Sequence, residues 1–364
     1  MHNPPQAWEG LCTFNSKMPA NNASKKTVFI IADYKMTELF DMLAPFYLFN
    51  ATEKANVYIV TKDKTPILVK RDLFVIPQIT FSEVDSMKLQ PDVIVIPALS
   101  QRTEIQDTSL INWIQNHFSA HIKMLAICDG ASTAAATGFY DGKPITCHAS
   151  DFDGIIARFS KPQWVQNVSV IKAGNLFSTA GVSNAVEGSL TVINELFGSE
   201  TLQKVMANIH YPGTEIKTSH KSAAITSKSK LVVAKKLMFK KNKTLGLLIE
   251  DGVNEFDMAS VIDTYNRTLP ASFGICSFTS SHIQTKYGLA LICTGNTDGG
   301  EVNELHVVMP GSVSKIDKTR YKNATIVKYE DLQTQYPIEI CLKRIAEQYG
   351  AKFQHVVKLS LDYN

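Results

Sequence analysis

The chain has 364 residues, 45% of them apolar and 20% charged, which is enough for a globular core and for two domains, or one domain with an appendage. A formal net charge of +3 does not mark a general nucleic-acid binder, no run of apolar residues is long enough to span a membrane, and the opening Met1-His-Asn-Pro-Pro5 lacks the basic-then-apolar order of a secretory signal. The six cysteines, at 12, 128, 147, 276, 293 and 341, form no CxxC pair and no regular spacing, which points to reduced thiols and a cytoplasmic setting.

Residues 1–26 are polar, with Pro4, Pro5, Asn21 and Asn22, and read as a loose arm. Lys26–Ile31 is apolar almost throughout, as a parallel strand covered on both faces should be. A helix is expected over Thr37–Thr52, with Pro45 disturbing its middle. Strands are expected at Asn56–Val60 and Asp92–Ile96, a side hairpin around Leu73–Ile76 and a helix over Ser109–Phe118. Strands alternating with helices predict an α/β fold with a doubly wound parallel sheet, whose sites lie at the carboxyl ends of strands. Asp41, Leu99 and Cys128 all follow such ends.

Met124-Leu-Ala-Ile-Cys128-Asp-Gly-Ala-Ser132 is the stretch that carries chemistry. A short buried strand breaks at Cys128, and a helix begins near Ala131. That order describes a nucleophile elbow, with Ala126 and Gly130 supplying the small flanking residues and the helix start favouring a thiolate. A buried structural cysteine beside a turn is the other reading of the same pattern.

Further motifs stand on either side: Glu38-Leu-Phe-Asp41-Met-Leu-Ala-Pro45, Thr137-Gly-Phe-Tyr-Asp141-Gly142 followed by Thr146-Cys-His148, and Phe177-Ser-Thr-Ala-Gly181-Val-Ser183. Together with the elbow they resemble the ThiJ/PfpI family of the class I glutamine-amidotransferase-like superfamily, over residues 27–210. The resemblance is closest to its branch of isocyanide hydratases and AraC-type regulator sensor domains. It implies a flavodoxin-like doubly wound sheet with helices on both faces. It also implies Cys128 as nucleophile, Asp41 as the acid that hydrogen-bonds the thiol, His148 near the pocket and Glu187 as a structural carboxylate. Backbone N–H groups of Leu99 and Asp129 would form the oxyanion site. Two departures bear on catalysis: Pro97-Ala98-Leu99 stands where relatives have Pro-Gly-Gly, and Asp129 where they carry His or Thr. The first functional expectation is a cysteine-dependent hydrolase, hydratase or lyase acting on a small carbon–nitrogen or carbonyl substrate. The second is a non-catalytic small-molecule sensor akin to the N-terminal domains of AraC-type regulators. The third is a redox or stress sensor working through Cys128. No cofactor and no metal are expected. His117 and His121 sit four apart, as on one helix face, without a third ligand.

Nine lysines fall within residues 217–243, so 211–243 reads as a Lys-rich linker; the sharper reading is a patch for an acidic membrane surface or nucleic acid. From Thr244 the chain repeats itself. Asn254-Glu-Phe-Asp257 matches the stretch ending at Asp41 (257 − 41 = 216), and Pro310-Gly-Ser matches Pro97-Ala-Leu (310 − 97 = 213). Cys293-Thr294-Gly295 mimics an elbow but aligns with the side hairpin. Residues 244–364 are therefore expected to be a truncated second copy without a nucleophile, ending in a helix over Pro337–Tyr349 and a strand-like Val356–Leu361. An intrachain pseudo-dimer or a homodimer is expected. Residues 211–364 contain no paired helix-turn-helix array, so no specific nucleic-acid partner is expected.

Overall fold

The computed structural model describes residues 6–9, 18–100, 108–240, 242–278, 280–295, 302–316, 319 and 321–363; Cys12, Lys241 and much of the N-terminal arm lie outside these. In the first half the strands are β1 (Lys26–Ile31), β2 (Ala55–Thr61), β3 (Ile67–Lys70), β4 (Leu73–Val75), β5 (Ile79–Thr80), β6 (Val93–Ile96), β7 (Lys123–Ala126), β8 (Pro144–Ile145), β9 (Gln163–Trp164), β10 (Val170–Ala173) and β11 (Leu176–Thr179). Seven of them form one sheet in the order β10-β11-β7-β6-β1-β2-β5, parallel except for β10. Its helices are α1 (Leu39–Ala51), α2 (Phe81–Met87), α3 (Thr108–His117), α4 (Gly130–Ala136), α5 (Phe152–Ile156) and α6 (Ala185–Asn208). This is the flavodoxin-like α/β arrangement.

Successive side chains of β1 leave on opposite faces, so a strand roofed on both sides must be apolar at every interior position. Val28 and Ile30 join one core cluster with Leu43 and Tyr47 of α1. Phe29 and Ile31 join the other with Trp113 and Ile114 of α3. α1 is buried at every position except Asn50, so it is enclosed on all sides.

The second half contributes α7 (Ser227–Phe239), β12 (Thr244–Leu248), α8 (Glu255–Asn266), β13 (Ser272–Cys276), β14 (His282–Gln284), β15 (Ala290–Cys293), β16 (Glu304–Val307), β17 (Thr325–Lys328), α9 (Pro337–Tyr349) and α10 (Ala351–Leu361). The strands β13-β12-β16-β17 form an all-parallel sheet, in the same order as β2-β1-β6-β7. β17 therefore stands where β7 does, one strand beyond the last match expected from the sequence. Val356–Leu361 is helical, not a strand: Phe353, Val356, Val357 and Leu361 are buried at helical spacing. Much of the Lys-rich segment is α7, capped by Thr226. Its Lys236 is buried and donates to the carbonyls of Thr268 and Leu269 at 2.9 and 3.1 Å.

The halves meet along α1 and α8 and through the hairpins. β15 pairs antiparallel with β4, giving a mixed sheet β14-β15-β4-β3. Val75 pairs with Leu291, its own counterpart at the offset of 216 (291 − 75). The Phe40 and Phe256 rings, also 216 apart, lie with centroids 5.5 Å apart. Contacts of a residue with its own counterpart are what a two-fold axis produces.

Candidate active site

The parallel ladder continues one residue past β7, where the Ile127 N–H donates to Ile96 O at 2.9 Å. Cys128 then takes a φ of +54°, left-handed backbone that costs a non-glycine residue about 1 kcal/mol or more. The Gly130 N–H donates back to Ile127 O at 2.8 Å and α4 begins. A Cβ on Gly130 would stand 2.1 Å from Ile96 O, so the turn passes directly beneath the end of β6. Substituting Gly130→Ala is expected to cost about 1–3 kcal/mol, because the carbonyl that must yield belongs to the sheet. Thermal unfolding would show it as a lowered Tm. An unchanged Tm would mean that the turn has room to relax.

Cys128 is 5% exposed. Burial pushes the thiol well above its ordinary pKa, and the carboxyl groups of Asp41, Asp129 and Glu38 push it further; a hydrogen bond from the Asp129 N–H to the sulfur offsets part of this. The helix-start field that favours a thiolate is thus outweighed, and the thiol is neutral at pH 7.

Asp41 lies in the first turn of α1 and is 0% exposed. Its Oδ2 accepts from the Ala98 N–H at 3.1 Å, while its Oδ1 has no hydrogen-bond partner among the described residues. Burial, then Glu38, push its pKa well above the carboxylate range. Glu38 caps the same helix, accepting from the Asp41 N–H at 2.8 Å through Oε2. Burial and Asp263 raise Glu38 to about 7 against the pull of Lys70 and Arg267. Asp263 itself, on α8, sits 2.9 Å from Lys70 and 2.5 Å from Arg267. Burial alone would raise its pKa, but Arg267 and Lys70 hold it well below the usual range. Burial first, and then the ionised Asp263, raise the pKa of its neighbours Glu38 and Asp41.

Leu99 is bridged to Thr37, and the Glu38 N–H donates to Ala98 O at 2.8 Å, which fixes the loop after β6 against the start of α1. The Leu99 N–H makes no backbone hydrogen bond among the described residues, whereas the Asp129 N–H is directed at the sulfur. The Nδ1 of His148 lies 3.5 Å from Asp151 Oδ2. Burial lowers its pKa, but Asp151, Asp362 and Asp129 outweigh that and raise it. Glu187 is clamped by the Tyr211 hydroxyl, which donates to it at 2.9 Å. His117 ends α3 and pairs with Asp85 at 2.9 Å, while His121 lies beyond the helix. Among the described residues no group of three or more His, Cys, Asp or Glu could hold a metal ion, and no helix is long and apolar enough to cross a membrane.

Cys128, Asp41 and Asp129 are thus brought together. The charged surroundings of Asp41 were not anticipated: Glu38 and Asp263 bear on it directly, and Lys70 and Arg267 bear on those two. Glu38 stood beside Asp41 in its motif. Asp263 and Arg267 stand one helical turn apart on a helix already matched to α1, the only local sign of a paired charge there.

Residues 25–195 match the model of the DJ-1/PfpI family. The isonitrile hydratase of Pseudomonas putida is 24% identical over 179 residues, covering 49% of this chain and 75% of the relative. Protein dj-1beta of Drosophila melanogaster is 29% identical over 137 residues, covering 37% of this chain and 71% of the relative. Among solved structures, Drosophila melanogaster DJ-1beta aligns with a TM-score of 0.45 at 20% identity, over 50% of this chain and 96% of that one. An AraC family transcriptional regulator from Pseudomonas putida aligns at 0.42 and 15%, over 50% of this chain and 97% of that one.

Proposed function

Residues 25–195 belong to the DJ-1/PfpI family, and from that premise we propose that the chain is a cysteine-dependent hydratase of small carbon–nitrogen compounds, isonitriles in the first place. The observation that carries this reading is the neutral thiol of Cys128 beside the neutral, half-unpartnered carboxyl of Asp41. A neutral acid is what an isonitrile needs, because its terminal carbon must gain a proton as a nucleophile bonds to it.

The step balances as an addition of S–H across one carbon. Sulfur bonds to the isonitrile carbon, Asp41 gives that carbon its proton, and the thiol proton replaces it on Asp41. The product is a thioimidate, Cys–S–CH=N–R. Water adds to the same carbon and its proton goes to nitrogen. The hydroxyl of the resulting adduct faces the oxyanion position, for which the Leu99 N–H is the proposed donor. Collapse expels sulfur, which recovers a proton from the hydroxyl, and an N-alkylformamide leaves. Asp129 takes no proton in this scheme. His148 is assigned a role in orienting the substrate.

Incubating the full chain with methyl or cyclohexyl isocyanide should yield the N-substituted formamide catalytically, followed by proton NMR. Turnover should fall at the alkaline end, where Asp41 loses the proton that burial and Glu38 hold on it well above the carboxylate range. No formamide above the buffer rate at any pH from 5 to 8 would overturn the reading.

The alternative is a non-catalytic sensor, and a specific observation favours it: the carboxylate of Asp129 adjoins the sulfur and raises its pKa. A redox role has less support, since selective oxidation needs an exposed thiolate. We also read residues 244–364 as the degenerate second copy acting as a built-in partner. The shared strand order and the self-facing pairs Val75–Leu291 and Phe40–Phe256 support this.

A further inference from the structure

A cavity of about 640 Å³ opens in the second half, at the carboxyl ends of β12, β16 and β17. This is the volume of a small-molecule site. It lies where the chain leaves β12 for β13 on one side while β16 lies on the other, the switch point at which open α/β sheets bind ligands. Register shows what has become of the elbow there. By the offset of 213 set by Pro97 and Pro310, Val307 is the counterpart of Ile94, and its partner Lys328 stands where Met124 does. Four residues further on, the place of Cys128 is held by Leu332, an apolar residue that lines the cavity.

The acid has not been lost with the nucleophile. Asp257, the counterpart of Asp41, lines the cavity, and its carboxyl makes no hydrogen bond among the described residues. Glu250 and Asp251 line the same space, each fixed by a backbone donor: the Phe278 N–H to Glu250 at 2.9 Å and the Gln284 N–H to Asp251 at 2.8 Å. Against these three carboxyl groups the lining sets one ammonium, that of Lys315, while Lys286 faces Asp257 from outside the lining. A pocket shaped for a small molecule, acidic on balance and ending in an unengaged carboxyl, selects a compact cation.

We propose that this cavity is a second, non-catalytic binding site for a small organic cation carrying an ammonium or guanidinium group, with Asp257 as its counter-ion. The groups facing Asp257 are Lys286, Glu255 of its own helix, Tyr47 of α1 and Cys341 of α9. Burial raises Asp257 to about 7, with Lys286 opposing and Glu255 adding to the rise. The empty site thus holds a neutral acid below that pH, and an entering cation draws the proton off. The sign follows: binding strengthens as pH rises through about 7, and cation uptake releases a proton to the buffer.

Isothermal titration of the full chain with n-butylguanidinium and n-butylammonium, and with the neutral isostere n-butylurea, tests this. Saturable binding of one or both cations, absent for the urea and about three- to tenfold weaker at pH 6 than at pH 8, is the expected result. Asp257→Asn should weaken it at least tenfold and remove the pH dependence. Should that variant unfold early, Lys315→Gln serves instead, and by removing the competing charge it should tighten binding severalfold. Equal binding of the urea, no response to either substitution, or no binding of either cation up to about 10 mM would overturn the proposal. The readout is binding alone, so a failed isonitrile assay leaves it standing.

Discussion

Cys128→Ser in the full chain is expected to lower isonitrile turnover by at least about 10³-fold while leaving Tm close to that of the parent chain. Serine fits the volume of the thiol and can take the same left-handed turn, so the fold has little to lose. The hydroxyl, however, is a far weaker nucleophile towards a carbon that bonds readily to sulfur, and no strong base stands by to activate it: the nearest acid, Asp41, is protonated. Asp41→Asn should lower turnover by about 10²–10⁴-fold, since the amide keeps the acceptor for the Ala98 N–H but has no proton to give. The two losses should not add when combined, because both groups serve one S–H addition. Cys128→Ser protein that keeps parental turnover would remove the thioimidate from the mechanism. Asp41→Asn protein that does so would remove the proton donor.

Asp263→Ala is expected to destabilise the chain by about 3–5 kcal/mol, the largest stability effect we anticipate. Asp263 is a buried anion between Lys70 of the first half and Arg267 of the second. Without it, two cations with mostly covered side chains confront one another across the junction. Urea denaturation would measure the loss. The pH dependence should change with it. A carboxylate held below its unfolded pKa adds stability that is fully present above about 4 and is lost as pH falls from there towards the lowered folded pKa. Glu38 works in the opposite direction: its raised pKa favours the folded state below about 4.5, and that contribution is lost as pH rises through about 7. The parent chain should therefore be most stable in mildly acidic buffer. Asp263→Ala should flatten the acid limb, and an acid limb that keeps its slope would show that other carboxylates govern it.

The first sheet was readable because its strands are continuous apolar runs, and the elbow because small residues flank one cysteine at a strand end. β17 was not readable: of Thr325-Ile-Val-Lys328 only Val327 is fully buried, so this edge strand carries no apolar run. The end of the chain was misread because Val356, Val357, Leu359 and Leu361 are dense enough to suggest a strand, while the deciding helical spacing starts earlier, at Phe353. For the site, sequence pointed to the reacting groups but not to their protonation. That state depends on Asp263, more than 200 positions from Asp41 (263 − 41 = 222), and on the burial of α1 beneath α8, neither of which any local pattern encodes.

The self-facing contacts at Val75–Leu291 and Phe40–Phe256 carry one further consequence. In a pair of identical subunits every substitution is made twice, so a cysteine lost from one elbow is lost from both. On the proposed reading of residues 244–364 as a built-in partner, tethering lifts that constraint: one side can give up its chemistry while the other keeps it, their ratio is fixed at one to one, and dilution cannot part them.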